Sequence, residues 1–275
     1  MAVSYFGVDA FSAVPFGGNP AVVCLLDAHT EAGTEPDEAW MRRVGAEFNQ
    51  PATAFLWRDA RGYRLRWFTA STELPLCGHG TMATAHVLYE TDRADPDETL
   101  IFQTKAGGVT AACADHRIWL ELPGAVLTEA SPSEALLAAA GVSDRDVVWV
   151  GRNDFEYVVR LADPSLVRNA RPDFAALLAL PGTRVCLTAA GGVDGAPPAD
   201  FSSRVFAPAL GVDEDQVTGS AHAVLGQLWA GWLGRTELTA WQASARGGQL
   251  SLIVGADSVR VGGQALITRR GELLV

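Results

Sequence analysis

Short unbroken apolar runs, closed by glycine and proline turns, alternate along this chain with stretches whose apolar residues recur roughly every three or four positions. The run Ala21-Val22-Val23-Cys24-Leu25-Leu26 follows the turn Phe16-Gly17-Gly18-Asn19-Pro20 and has the pattern of a buried strand. Residues 36–49 read as a helix: Trp40, Val44 and Phe48 share one face, Pro36 suits the first turn and Thr34 supplies a cap. Tyr63-Arg64-Leu65-Arg66-Trp67-Phe68 alternates as a half-exposed strand does, and residues 79–90 continue as a helix of small residues. Further on, Ser131-Pro132-Ser133-Glu134 has the form of a capping box for a helix ended by Gly141. A second helix runs from about Pro172 to Leu180 and is stopped by Pro181-Gly182. The stretch 189–198, rich in glycine and proline, reads as a surface loop, with a mobile flap as its functional alternative.

Three of these signals occur twice, in the same order. Arg66-Trp67-Phe68 precedes Cys77-Gly78-His79-Gly80-Thr81 and an Ala-rich run; Arg204-Val205-Phe206 precedes Thr218-Gly219-Ser220-Ala221-His222 and another. Phe102-Gln103 with Gly107-Gly108 then matches Trp241-Gln242 with Gly247-Gly248. The period of about 140 residues is far beyond that of solenoid repeats. The pattern predicts an α+β chain of two homologous lobes, residues 1–125 and 126–275, with the C-terminal segment available to pack back on the first lobe.

Composition narrows the classes. At 275 residues the chain is long enough for a well-buried core, and its 48% hydrophobic and 19% charged residues are those of an ordinary globular protein. The net charge is −11 with no cluster of Lys and Arg, so nucleic acid is not an expected partner. Any anionic ligand must then be held by local dipoles rather than by the overall field. Cys24, Cys77, Cys113 and Cys186 lie far apart without a CxxC pair, which argues against a zinc site or a disulfide framework and fits a reducing compartment. The start Met1-Ala2-Val3-Ser4-Tyr5 lacks the features of a signal peptide, and no apolar run reaches the roughly 18 residues that span a bilayer. A cytoplasmic location with no membrane partner is expected.

The two glycine turns carry the candidate chemistry. A helix start gathers unpaired backbone N–H groups and the positive end of the macrodipole, so two such starts suit a small anion. Gly78, Gly80, Gly219 and Ser220 would offer backbone N–H groups and one hydroxyl to a carboxylate; alternatively the glycines only permit the turns. Asn19 is either a substrate contact or a turn residue. Arg66 and Arg204 read as salt-bridge residues with anion binding as the alternative, and Arg246-Gly247-Gly248 as a bulge or close packing. His222, His86, His116 and His29 read as structural or surface residues.

Taken in order, six segments resemble the phenazine-biosynthesis (PhzF-like) isomerase family of the diaminopimelate-epimerase-like superfamily. They are Val8-Asp9-Ala10-Phe11 with Phe16-Gly17-Gly18-Asn19-Pro20, Glu47-Phe48-Asn49, Leu76-Cys77-Gly78-His79-Gly80-Thr81, Ser203-Arg204-Val205-Phe206-Ala207-Pro208, the run from Asp213 to His222, and Arg246-Gly247-Gly248. The resemblance implies two pseudo-symmetric lobes, each a barrel-like sheet wrapped around a central helix, with the site in the cleft between them. It implies a homodimer and a cofactor-independent, metal-free isomerase that moves a proton and a double bond in a small unsaturated carboxylic or amino acid. Asp215 matches the family's acidic residue before the second helix, with capping as its plain alternative. His79 matches the motif histidine, suited to a proton relay near neutral pH.

One position departs from the family. Where isomerising members carry Ser-Glu-Thr after Phe-Asn-x, this chain reads Phe48-Asn49-Gln50-Pro51-Ala52-Thr53, so Ala52 stands where the proton-transfer glutamate is expected. Cys77 sits where the epimerase branch has a catalytic thiol, and a helix start favours a thiolate, so it is the leading replacement beside Asp215 acting alone. Its counterpart Thr218 rules out a two-cysteine epimerase. A lyase using the same site, or a non-catalytic small-molecule binder, are the alternative readings.

Overall fold

The computed structural model describes residues 2–26 and 35–274. Thr34, expected as a helix cap, and His29 lie outside the described residues. The chain divides into two units, Met1–Leu122 with Arg260–Val275, and Pro123–Val259.

The first unit begins with β1 (Ala2–Ala10), β2 (Asn19–Leu25), α1 (Glu38–Phe48), β3 (Ala52–Asp59), β4 (Gly62–Phe68) and β5 (Glu73–Leu74). It continues with α2 (Gly78–Glu90), β6 (Leu100–Thr104), β7 (Gly107–Ala114) and β8 (Arg117–Pro123). β1 pairs antiparallel with β2, β2 runs parallel to β3, and β4 lies between antiparallel β3 and parallel β6. α1 is two residues shorter at its start than its pattern predicts, because Asp37 caps it by accepting from the Ala39 N–H. Its face packs Met41 and Val44 with Val22, Cys24, Phe55, Trp57 and Phe68 in one core cluster. β2 and β3 are therefore covered on both faces, which is why they read as unbroken apolar runs. On the other face, α2 packs against β1, β2, β3 and β7 at once, so the sheet curls around it. Apart from His86 and Glu90 every residue of α2 is buried, and only a helix of small and apolar residues on all sides tolerates that.

The second unit carries β9 (Thr128–Glu129), α3 (Glu134–Ala140), β10 (Val147–Arg152), β11 (Glu156–Leu161), α4 (Pro164–Asn169), α5 (Phe174–Leu178) and β12 (Arg184–Ala190). Then come β13 (Phe201–Ala207), β14 (Val212–Asp215), α6 (Gly219–Leu233), β15 (Glu237–Gln242) and β16 (Gly248–Val254), after which β17 (Ser258–Gly263) passes into the first unit at Arg260. The pairing repeats that of the first unit: β10 antiparallel to β11, β11 parallel to β12, and β13 between antiparallel β12 and parallel β15. α3 is capped by Ser133 alone, whose hydroxyl accepts from the Leu136 N–H, in place of the box expected from Ser131 and Glu134. The helix expected over 172–180 is the single short turn α5, started by Asp173. Ala189 and Ala190 belong to β12, so the expected loop begins at Gly191, whose N–H is tied to the Asp200 carbonyl at 2.8 Å.

The last strand, β18 (Ala265–Leu274), returns to the first unit and pairs antiparallel with β1 along its whole length. The fold is α+β, and each unit is a sheet folded about one long buried helix.

Candidate active site

Strand alternation sorts the repeated motifs. On β4, Phe68 joins the cluster under α1, so Arg66 shares that outer face while Trp67 faces α2, where it lies against Gly80. Arg66 binds Glu73 through Nε at 2.7 Å and also reaches Glu35 and Glu38. On β13, Arg204 likewise grips Glu214 through Nε at 2.7 Å and Nη2 at 2.8 Å. Both arginines brace their own unit, on the face away from the central helix. His116 is an exposed turn residue with φ 57°, and Gly247, at φ 63°, leaves room that a Cβ would take from the Trp241 ring.

In the first unit, the turn before β2 delivers Asn19, fully buried, to the start of α2. That turn demands glycine at 18, where φ is +64° and a Cβ would strike the Ala10 carbonyl. Asn19 Nδ2 donates to His79 Nδ1 at 3.3 Å; an amide N–H only donates, so the neutral ring carries its proton on Nε2. Cys77 is the N-cap of α2, its sulfur accepting from the Gly80 N–H at 3.4 Å. The same sulfur lies 3.6 Å from His79 Nδ1 and 3.8 Å from Nε2. Asn19, Cys77, Gly78, His79 and Gly80 thus form one cluster at a helix start. A thiol and an imidazole in contact can pass a proton between them.

In the second unit, Asp215 closes β14 and Gly219 and Ser220 open α6. Thr218 occupies the N-cap without capping: its hydroxyl donates to Asp215 Oδ2 at 2.6 Å instead. Gln242 pins this turn from β15, accepting the Thr218 N–H at 2.8 Å and donating to the Asp215 carbonyl at 2.6 Å. His222 has a structural role. Its Nδ1–H must donate to the Thr218 carbonyl at 2.8 Å, so Nε2 accepts from Ser203 Oγ at 3.0 Å. Burial drives its pKa down to about 4, with the charge of Arg184 adding to the effect.

Sequence patterns pass over Arg184 and Glu156. They are register partners across the parallel pair β11–β12, both nearly fully buried, with Arg184 Nε bonded to Glu156 Oε2 at 2.7 Å. Arg184 Nη1 donates onward to Ser220 Oγ at 2.9 Å. Nothing in a single sequence joins positions 156, 184 and 220, because the sheet register brings the first two together and the start of α6 supplies the third.

Matching the two units strand by strand gives further equivalences. Phe68 pairs with Thr53 as Phe206 pairs with Val185, so Ala52 in the first unit stands where Arg184 stands in the second. Phe68 also opposes Glu73 as Phe206 opposes Glu214, which sets Leu74 against Asp215, Cys77 against Thr218 and His79 against Ser220. Arg184 touches Ser220; the equivalent positions in the first unit are those of Ala52 and His79. Among the described residues, no three His, Cys, Asp or Glu side chains gather as a metal-ligand set, and no helix is long and apolar enough to cross a membrane.

Comparison with known proteins agrees with this architecture. The model of the phenazine biosynthesis-like protein family matches residues 8–271. An uncharacterised isomerase of Pseudomonas aeruginosa is 42% identical over 273 residues, covering 99% of each chain. The crystal structure of a PhzF-family phenazine biosynthesis protein from Enterococcus faecalis superposes with a TM-score of 0.90 at 36% identity, covering all of both chains. A hydroxyproline epimerase from Agrobacterium vitis shares the fold at a TM-score of 0.61 and 11% identity, covering 99% of this chain and 91% of that one. With near-complete coverage, a matching family model and isomerases among its relatives, the chain belongs to the phenazine biosynthesis-like (PhzC-PhzF) family of isomerase-type enzymes.

Proposed function

We propose that this enzyme is a cofactor-independent isomerase that moves a proton, and with it a double bond, in a small unsaturated carboxylic or amino acid. The contact between Cys77 Sγ and the protonated Nε2 of His79, at 3.8 Å, carries the reading. It supplies a proton acceptor at the start of α2, although the position of the family glutamate is filled by the buried Ala52. In the proposed reaction, a C–H proton next to the substrate carboxylate leaves to the Cys77–His79 pair. The electron pair delocalises over the adjacent double bond and the carboxylate, whose charge the first-turn N–H groups at Gly78, Gly219 and Ser220 stabilise, the Gly80 N–H being held by Cys77 Sγ. Asp215 holds the second proton position, returning a proton to a different carbon, so one proton enters for each that leaves and nothing is oxidised. The proposal requires the starts of α2 and α6 to act on one molecule, in a cleft between the lobes.

The test is wash-in of solvent deuterium during incubation with dienyl amino acids, read by mass spectrometry. Exchange is expected in the wild type and lost in Asp215→Asn and His79→Ala. Exchange unchanged in both variants would remove the assignment, and loss in Cys77→Ala but not in Asp215→Asn would give the whole role to the thiol. Activity on a family-type substrate that appears only after Ala52→Glu would make the native chain a binder or an enzyme of a changed reaction.

A further inference from the structure

We propose that Arg184 is a positioning residue, holding Ser220 so that its hydroxyl hydrogen and the first turn of α6 together receive the substrate carboxylate. This deepens the isomerase reading and rests on it for the identity of the ligand. An arginine only donates, so the bond of 2.9 Å from Nη1 makes Ser220 Oγ the acceptor and turns the hydroxyl hydrogen away from the guanidinium. Ser220 is part-exposed at the second residue of a long helix, so that hydrogen lies among the first-turn N–H groups.

The guanidinium cannot swing to another partner. Nε is committed to Glu156 Oε2 at 2.7 Å, the ring of Phe155 lies 5.0 Å from its central carbon, and the planar fork fixes where Nη1 points. Glu156 is 2% exposed and also accepts from the Cys186 thiol at 3.6 Å, so the carboxylate is as fixed as its partner. The Asp215 carboxylate is within electrostatic reach of the same guanidinium. A chain with a net charge of −11 thereby keeps one buried cation behind the helix start assigned to anion binding. A purely structural ion pair would be complete at Glu156; the arm to Ser220 is the additional feature.

The experiment measures calorimetric binding of sorbate, a dienyl carboxylate, to wild type, Arg184→Lys, Ser220→Ala and the double variant. Lysine keeps the charge beside Glu156 and thus the fold, but lacks a second arm for Ser220. Each single variant is expected to bind sorbate about tenfold more weakly, and the double variant no more weakly than Ser220→Ala alone. In exchange assays the same variants should raise KM with little change in kcat. Arg184→Lys binding like wild type, fully multiplicative losses in the double variant, or no sorbate binding by the wild type would each overturn the proposal. Sorbate binding with this pattern, but without deuterium exchange on any dienyl amino acid, would instead defeat the isomerase reading and leave Arg184 in its role.

Discussion

Replacing Gln242 by methionine keeps the volume of a fully buried side chain and removes its hydrogen bonds. The Thr218 N–H loses its acceptor at 2.8 Å, and the Asp215 carbonyl loses the donor at 2.6 Å. Stripping a buried polar group of its partner costs about 1–3 kcal/mol, and two groups are affected, so a loss of about 3 kcal/mol is expected. At about 2–4 °C per kcal/mol the midpoint of thermal unfolding should fall by about 9 °C. The turn from Asp215 to Thr218 also loses its anchor, and with it the 2.6 Å bond that fixes the carboxylate. Deuterium exchange should drop on the order of 10- to 100-fold, the scale of a small misplacement of a reacting group. Urea and thermal unfolding check the first number and mass-spectrometric exchange the second. A Gln242→Met protein that melts within about 1 °C of the wild type would refute the account of this turn.

His222 is held neutral in the folded state with a pKa of about 4, below the roughly 6.5 of an unfolded histidine, so the unfolded chain binds more protons between those values. Its contribution is fully present above that unfolded value and is lost as pH falls toward 4; urea unfolding should show about 2 kcal/mol less stability at pH 5 than at pH 7.5, a slope missing in His222→Gln. Arg66→Met leaves Glu73 only its 2.7 Å contact with Lys105 and should cost about 2 kcal/mol, less than a fully buried pair, because Glu38 and Glu35 lie nearer solvent. Burial pushes the Glu73 carboxyl up, but the bonds from Arg66 and Lys105 outweigh it and hold its pKa low. Stability from that pair is therefore lost as pH falls through the carboxylate range, and Arg66→Met should show a shallower loss in acid unfolding titrations.

The helix starts were legible because glycine turns, caps and small-residue helices are local signals: Cys77 and Thr218 stand at the N-caps of α2 and α6. The duplication was legible as three paired motifs, and the sheet extends it to strand pairings that leave no shared residues, such as Ala52 against Arg184. Helix ends were read less well. α1 starts at Glu38 because the Asp37 carboxylate caps it there better than the proline before it begins a turn, and α5 is cut short although Pro172 and Pro181 bracket a longer span. The Glu156–Arg184–Ser220 chain was illegible for a different reason. Its members lie 28 and 36 residues apart: the parallel register of β11 and β12 joins Glu156 to Arg184, and the start of α6 brings Ser220 to them. The environment of His79 was half legible: its motif marked it, whereas Asn19, 60 positions earlier, became its partner only through the path of β2.

The pairing of β18 with β1 has a consequence for biosynthesis. The ribosome completes residues 123–259 before it makes the segment that closes the first unit, so the unit that contains residues 1–122 is completed after the one that follows it. Until then β1 offers a bare hydrogen-bonding edge, a hazard for misassembly during translation. Nascent chains arrested before residue 265 should yield a protease-resistant fragment from the later unit while residues 1–122 are still being cut.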